Sequence, residues 1–244
     1  ADIGFIIALG AVTRIVPTLF GGYLADVLGR KKILYSMGFL LAVNELLLAF
    51  APDFRWLYLI VMVEALAGGL RDPSFMSLIA DSTNPDNRAF SMSLFQVVPP
   101  LFGLLSPFAM GLLMDSRGTV VAMRYAYTFS FLMVMVASFL RYRYIEETLV
   151  NGRGVQKDPW ETVRDVLRGF KETYRALPAQ LWLFLWIDFI FTFAWALTEP
   201  YFVTYATEVV LLSGAQWGIV TMGATLIRTT VKPMSALASD RYGR

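Results

Sequence analysis

Runs of about twenty apolar residues recur along the chain, each as long as a helix must be to cross a bilayer. They are apolar on every side of a helix rather than along one stripe, so the solvent they require is lipid, not water. The pattern predicts helices at 3–25, 33–50, 56–80, 89–114, 119–140, 179–206 and 214–237. Ala51-Pro52-Asp53-Phe54-Arg55 is too short to do more than join the second and third runs as an antiparallel hairpin, and Asp115-Ser116-Arg117-Gly118 reads as another tight turn. The fold class that follows is an all-α membrane protein, a polytopic helical bundle.

The connection 141–178 is longer and has its own periodicity. Asp158-Pro159-Trp160-Glu161 resembles an N-cap followed by Pro at the first helical position and a capping Glu. Trp160, Val163, Leu167, Phe170 and Tyr174 then recur at helical spacing, which predicts an amphipathic helix at the membrane surface, ended by Pro178. The chain starts with Ala1-Asp2 at the edge of a hydrophobic run and stops at Arg244 in a charged turn, so further spans are expected on both sides.

Composition agrees: 57% of residues are hydrophobic, 16% are charged and the mean hydropathy is +0.56. Cys and His are absent. That removes disulfides, thiolate nucleophiles, His-ligated metals and Ser-His-Asp triads, so no enzyme, catalytic set, metal or cofactor is expected. The net charge of +2 is less informative than its placement. One set of connections holds Arg30, Lys31, Lys32, Arg71, Arg88, Arg141, Arg143, Arg153, Lys157, Arg164, Arg168, Lys171, Arg175, Lys232, Arg241 and Arg244; the other holds Arg55, Arg117 and Arg124. Sixteen against three makes the first set cytoplasmic.

Displaced by 214 residues, the chain matches itself at Gly4 and Gly218, Arg14 and Arg228, Asp26 and Asp240, Gly29 and Gly243, and Arg30 and Arg244. Parallel duplicated halves with a solute site between them are an architecture of secondary transporters. Gly22-Tyr23-Leu24-Ala25-Asp26-Val27-Leu28-Gly29-Arg30-Lys31-Lys32 resembles the signature loop of the major facilitator superfamily, between that family's second and third helices. Ala236-Leu237-Ala238-Ser239-Asp240-Arg241-Tyr242-Gly243-Arg244 is similar to its second copy, with Ala236 in place of the first Gly. Gly68-Gly69-Leu70-Arg71-Asp72-Pro73, with Ala80-Asp81 and Arg88, resembles the family's fourth helix and following loop.

The resemblance implies a partial fold, about seven of an expected twelve helices. Residues 1–140 would be an N-terminal half lacking its first helix, 141–178 a cytoplasmic linker, and 179–244 the start of the C-terminal half. It implies a cytoplasmic gate formed by Gly22, Asp26, Gly29, Arg30, Lys31, Asp81, Arg88, Asp240, Gly243 and Arg244. Gly22 and Gly29 would permit close helix approach and a tight turn.

Ionisable residues deep in a span cost about 3 kcal/mol each, so they face a cavity and have a partner. Arg14 lies twelve residues before Asp26, about 18 Å along a helix. Arg228, Glu64 and Asp188 lie at comparable depth. These four are the candidates for solute binding or proton coupling, as acids and bases facing one cavity; the alternative is that they are structural ion pairs. Glu45 and Asn44 read as an outer vestibule, and Glu199 and Glu208 as outer surface. Trp182, Phe184, Trp186, Phe189, Phe191, Phe193 and Trp195 crowd one span and are a candidate aromatic pocket.

Gly103-Leu104-Leu105-Ser106-Pro107-Phe108-Ala109-Met110-Gly111 resembles in part the fifth-helix motif of drug antiporters, with Ser106 and Met110 departing from it, and leans the reading toward efflux. The expectation is secondary active transport of a small organic solute by alternating access, coupled to protons or otherwise to an ion. Its setting would be the inner membrane of a prokaryote, as a monomer when full length, with lipid and solute as partners and no nucleic acid. The competing reading is a transporter-like sensor that binds without transporting. A retinal pigment is excluded because Lys232, near a span end, is the only Lys in any predicted span. A channel is disfavoured by the lack of a filter loop or acidic ring.

Overall fold

Every predicted run is helical in the computed structural model, which describes residues 2–83, 88–148, 164, 168–169, 172, 174 and 176–242, with the side chains of 2, 88–91, 93 and 232–242 outside the description. The helices are α1 (Asp2–Leu28), α2 (Arg30–Ala49), α3 (Arg55–Asp81), α4 (Arg88–Phe102), α5 (Ser106–Arg117), α6 (Thr119–Tyr144), α7 (Ala179–Thr198) and α8 (Gly214–Tyr242). The expected amphipathic helix after Asp158 lies mostly outside the described residues.

Among the described residues, five spans are long and apolar enough to cross a membrane. The helices α3 and α8 match them in length, but α3 carries Glu64, Arg71 and Asp72 in its interior, and α8 carries Arg228 among its threonines. Arg71, expected among the basic connections, is therefore a correction: it sits inside α3.

Two expected spans are not single regular helices. The run 89–114 breaks between α4 and α5, where Pro99 and Pro100 lack N–H groups and Gly103 and Leu104 turn through bonds to Pro99 and Leu101 carbonyls. The run 179–206 is α-helical to Thr198. It then tightens at Glu199–Tyr201, beside Pro200, and widens into a π turn at Tyr205–Val209.

The packing order is α1 on α3, α3 on α2, α2 on α6, and α5 on both α6 and α8. In lipid there is no hydrophobic gain from bringing helices together, so small residues that allow close approach decide the contacts. At the α1–α3 crossing a Cβ on Gly21 would lie 2.8 Å from the Gly69 carbonyl oxygen, and one on Gly69 would lie 2.8 Å from Pro17 Cβ. Gly22, expected to provide this approach, has open space beside it among the described residues; Gly21 makes the crossing instead. Between α5 and α8, a Cβ on Gly214 would lie 2.8 Å from the Gly111 carbonyl oxygen, and one on Gly218 would lie 2.7 Å from Phe108 Cα.

Many of the packed residues are correspondingly small: Ala25, Ala42, Ala65, Ala67, Ser74 and Ser138 are buried, alongside Ile33, Leu34, Ile60, Leu78 and Ile79, while other large apolar side chains such as Phe5, Leu132, Phe139 and Ile190 point outward. No residue of α7 is buried.

Candidate functional site

Three polar assemblies interrupt this apolar bundle. The first lies where α1 ends and α2 begins. Gly29 joins them at φ +97°, a conformation that side-chain-bearing residues rarely adopt. The first N–H groups of a helix have no partner within it. Here Arg30 N–H and Lys31 N–H donate to the Glu147 carboxylate, at 3.2 and 3.1 Å, from the segment after α6.

Arg30 is only 14% exposed and binds acids on both sides. Its Nε and Nη2 donate to Asp26 Oδ1 at 3.1 and 2.9 Å, and its Nη1 donates to the Asp81 carboxylate and to the Ser77 carbonyl at 3.4 Å. One guanidinium therefore fastens the ends of α1 and α3 to the start of α2, using its planar fork of donors. The Lys31 ammonium lies 5.9 Å from the centre of the Tyr142 ring on α6.

Of the expected gate residues, Asp26, Gly29, Arg30, Lys31 and Asp81 meet at this corner, and Gly22 stands one turn before it. The Arg88 and Asp240 side chains, and Gly243 and Arg244 entirely, lie outside the described residues. Glu147 was not singled out in the sequence, because its role depends on a corner formed more than a hundred residues earlier.

The second assembly lies between α1 and α3, where the Arg14 and Asp72 side chains are both partly exposed. Arg14 is ion-paired with Asp72, and Arg71 Nε and Nη2 donate to the same carboxylate at 3.0 and 2.9 Å. Beside them a cavity of about 150 Å³ is lined by Arg14, Asn44, Glu45, Glu64, Gly68 and Arg71. Arg14 and Glu64 thus share a cavity as expected, but the salt-bridge partner of Arg14 is Asp72. Glu45 and Asn44, expected as an outer vestibule, line this same cavity.

The third assembly corrects the expectation that Arg228 and Asp188 share that site. Arg228 lines a separate cavity of about 550 Å³ with Trp195, Glu199, Phe202, Trp217 and Thr225. It also borders a smaller one of about 190 Å³ against Gln96 and Pro100 of α4. Asp188 lines none of these and is exposed on α7. Of the aromatic crowd on α7 only Trp195 reaches the large cavity, where Glu199, expected at the outer surface, provides an acid. Phe189 and Phe193 stack on each other at 6.2 Å, as do Phe191 and Trp195 at 6.5 Å.

Part of the chain is similar to the Quinolone resistance protein NorA of Staphylococcus aureus, in strains Mu50 and N315 among others. The match is 32% identical over 89 residues, 36% of this chain. It spans only 23% of that protein's length. The family model described as Major Facilitator Superfamily matches residues 1–244. Apolar helices of membrane length, small-residue crossings and a charged corner at Gly29 all accord with that match, and the chain belongs to the major facilitator superfamily.

Proposed function

We propose that the complete protein is a secondary active transporter, moving a small organic solute out of the cell by alternating access at the expense of a proton gradient. The observation that carries this reading is the cavity of about 550 Å³ between α7 and α8. Its walls are Trp195, Phe202 and Trp217, and it holds one acid, Glu199, and one base, Arg228. Aromatic faces with a charge of each sign suit a flat organic molecule that is itself charged.

Residues 1–140 and 179–244 then belong to two halves joined by 141–178, with the Gly29 corner on the cytoplasmic side of a bacterial inner membrane and the protein acting as a monomer. The corner at Arg30 acts as the cytoplasmic latch between states. Outward movement is supported by the relative, whose name speaks of quinolone resistance.

The test is transport by the complete protein in proteoliposomes, with a fluorescent quinolone as probe. A pH gradient of the correct sign should drive accumulation that a protonophore abolishes. Binding of the probe without accumulation under any imposed gradient overturns the transport reading in favour of a sensor.

A further inference from the structure

Arg228 lies fourteen residues after Gly214, the first residue of α8, about 21 Å along the helix and so near its middle. A guanidinium at that depth is costly in lipid and ordinarily has a partner. Arg14 and Arg71, also within spans, both bind Asp72. The Arg228 side chain is exposed and has neither an ion pair nor a hydrogen bond among the described residues. The side chain of Glu199, which lines the cavity of about 550 Å³ with it, has none either. The two opposite charges of that cavity therefore do not satisfy each other.

Arg228 and Thr225 line both this cavity and the one of about 190 Å³, so the two spaces meet at these residues. The smaller space is bounded by Gln96 and Pro100 of α4 and by Thr229 of α8, and among the described residues no acid lines it. The Thr225 and Thr229 hydroxyls donate to the Thr221 and Thr225 carbonyls, each at 2.8 Å. Their protons are committed, which leaves the Arg228 guanidinium and the Gln96 amide as the side-chain N–H donors of this wall. Neither has an acceptor among the described residues.

Donors without acceptors, one of them charged, suit an anionic group. One guanidinium supplies one positive charge, and no second cation lines either cavity among the described residues. That matches a carboxylate, which carries a single charge and accepts two parallel N–H bonds from the planar fork. A doubly charged phosphate would leave one negative charge unbalanced. The larger cavity suits the rest of such a molecule: Phe202 and Trp217 meet edge to face at 5.3 Å, and Trp195 adds a third aromatic wall. Glu199 lines only the larger cavity, so repulsion directs a carboxylate away from it, toward Arg228 and α4.

We propose that Arg228, assisted by Gln96, is the specificity-determining residue for a carboxylate on the solute, so that the protein selects flat aromatic carboxylates over uncharged analogues of the same shape. The inference rests on the reading of the aromatic cavity as the solute site.

The experiment is equilibrium binding to the purified complete protein, read by fluorescence anisotropy, of the quinolone used for transport and of its methyl ester, which lacks only the anionic group. The expected result is that the acid binds about tenfold tighter than the ester, the loss that accompanies removal of a charge-assisted hydrogen-bonding group. In Arg228→Gln the two should bind alike, through weaker binding of the acid with the ester unchanged. Arg228→Lys, a point charge without the fork, should keep part of the preference. Gln96→Leu should weaken the acid alone, and it reports even where the Arg228 variants do not fold. Equal affinity of acid and ester for the unaltered protein overturns the proposal, as does binding of neither. An equal loss of both probes in Arg228→Gln overturns it in favour of a structural pairing of Arg228 with an acid elsewhere in the complete protein. Uptake measured in parallel separates the two claims. Acid-selective binding without gradient-driven uptake leaves the carboxylate site standing and removes the transport reading; driven uptake without acid preference does the reverse.

Discussion

Asp115, in the last turn of α5, accepts the backbone N–H of Gly214 at 2.8 Å and thereby caps a helix that begins 99 residues later. Its second oxygen accepts the Ala215 N–H at 2.9 Å. A carboxylate here satisfies two otherwise unpaired donors and complements the positive end of α8. The glycine contacts of Gly111 with Gly214 and of Phe108 with Gly218 lie directly behind it, so the cap secures a close crossing rather than a loose end. Asp115→Ala should lower the thermal midpoint of the complete protein by a few degrees, and Asp115→Asn by less. Equal midpoints in a thermal-shift assay would show that the cap contributes nothing.

Gly29 is strained for any other residue twice over, by its φ of +97° and because a Cβ there would lie 2.7 Å from Glu147 Oε2. Gly29→Ala should cost about 1–3 kcal/mol, the penalty for holding a side-chain-bearing residue in a backbone region that glycine alone populates freely. Glu147→Ala should relieve the clash but remove the α2 cap. The double variant should therefore be less destabilised than the sum of the two single variants, which denaturant unfolding checks.

Arg30 binds Asp26 and Asp81 with separate nitrogens. Lysine keeps the positive charge that orients the chain but loses the fork. Arg30→Lys should leave membrane insertion intact while weakening the tie between α2 and α3. A double-mutant cycle of Arg30→Lys with Asp81→Asn should give a coupling energy above about 1 kcal/mol. A value near zero would mean that the two residues act independently.

The α1–α3 crossing makes a paired prediction. Gly69→Val pushes a side chain into Pro17 and the backbone at Thr18, and should cost about 1–3 kcal/mol by overpacking. Gly22→Ala meets open space and should be neutral or stabilising by up to about 1 kcal/mol, the helix-propensity difference. If thermal shift shows Gly22→Ala to be the worse of the two, the crossing is misassigned.

The seven apolar runs, the hairpin at 51–55 and the signature residues around Gly29 were all legible from the chain alone. Insertion into lipid depends on hydropathy summed over about twenty consecutive residues, and orientation depends on counting basic residues in connections; both are local sums. Which charge meets which is not a local property. The helices packed on α1 offer Arg14 three interior acids, Glu45, Glu64 and Asp72, and only the rotation of α3 against α1, set by Gly21 on Gly69, turns Asp72 to it. The same rotation leaves Glu45 and Glu64 lining one cavity, while the turn at Pro200 places Glu199 in the wall of the cavity that Arg228 also lines. The caps of Glu147 and Asp115 bridge about a hundred residues each and carry no sequence pattern, because a carboxylate binds whichever helix start the fold delivers to it. The spans were decided by solvent preference along the chain, and the partners by how closely small residues let the helices approach.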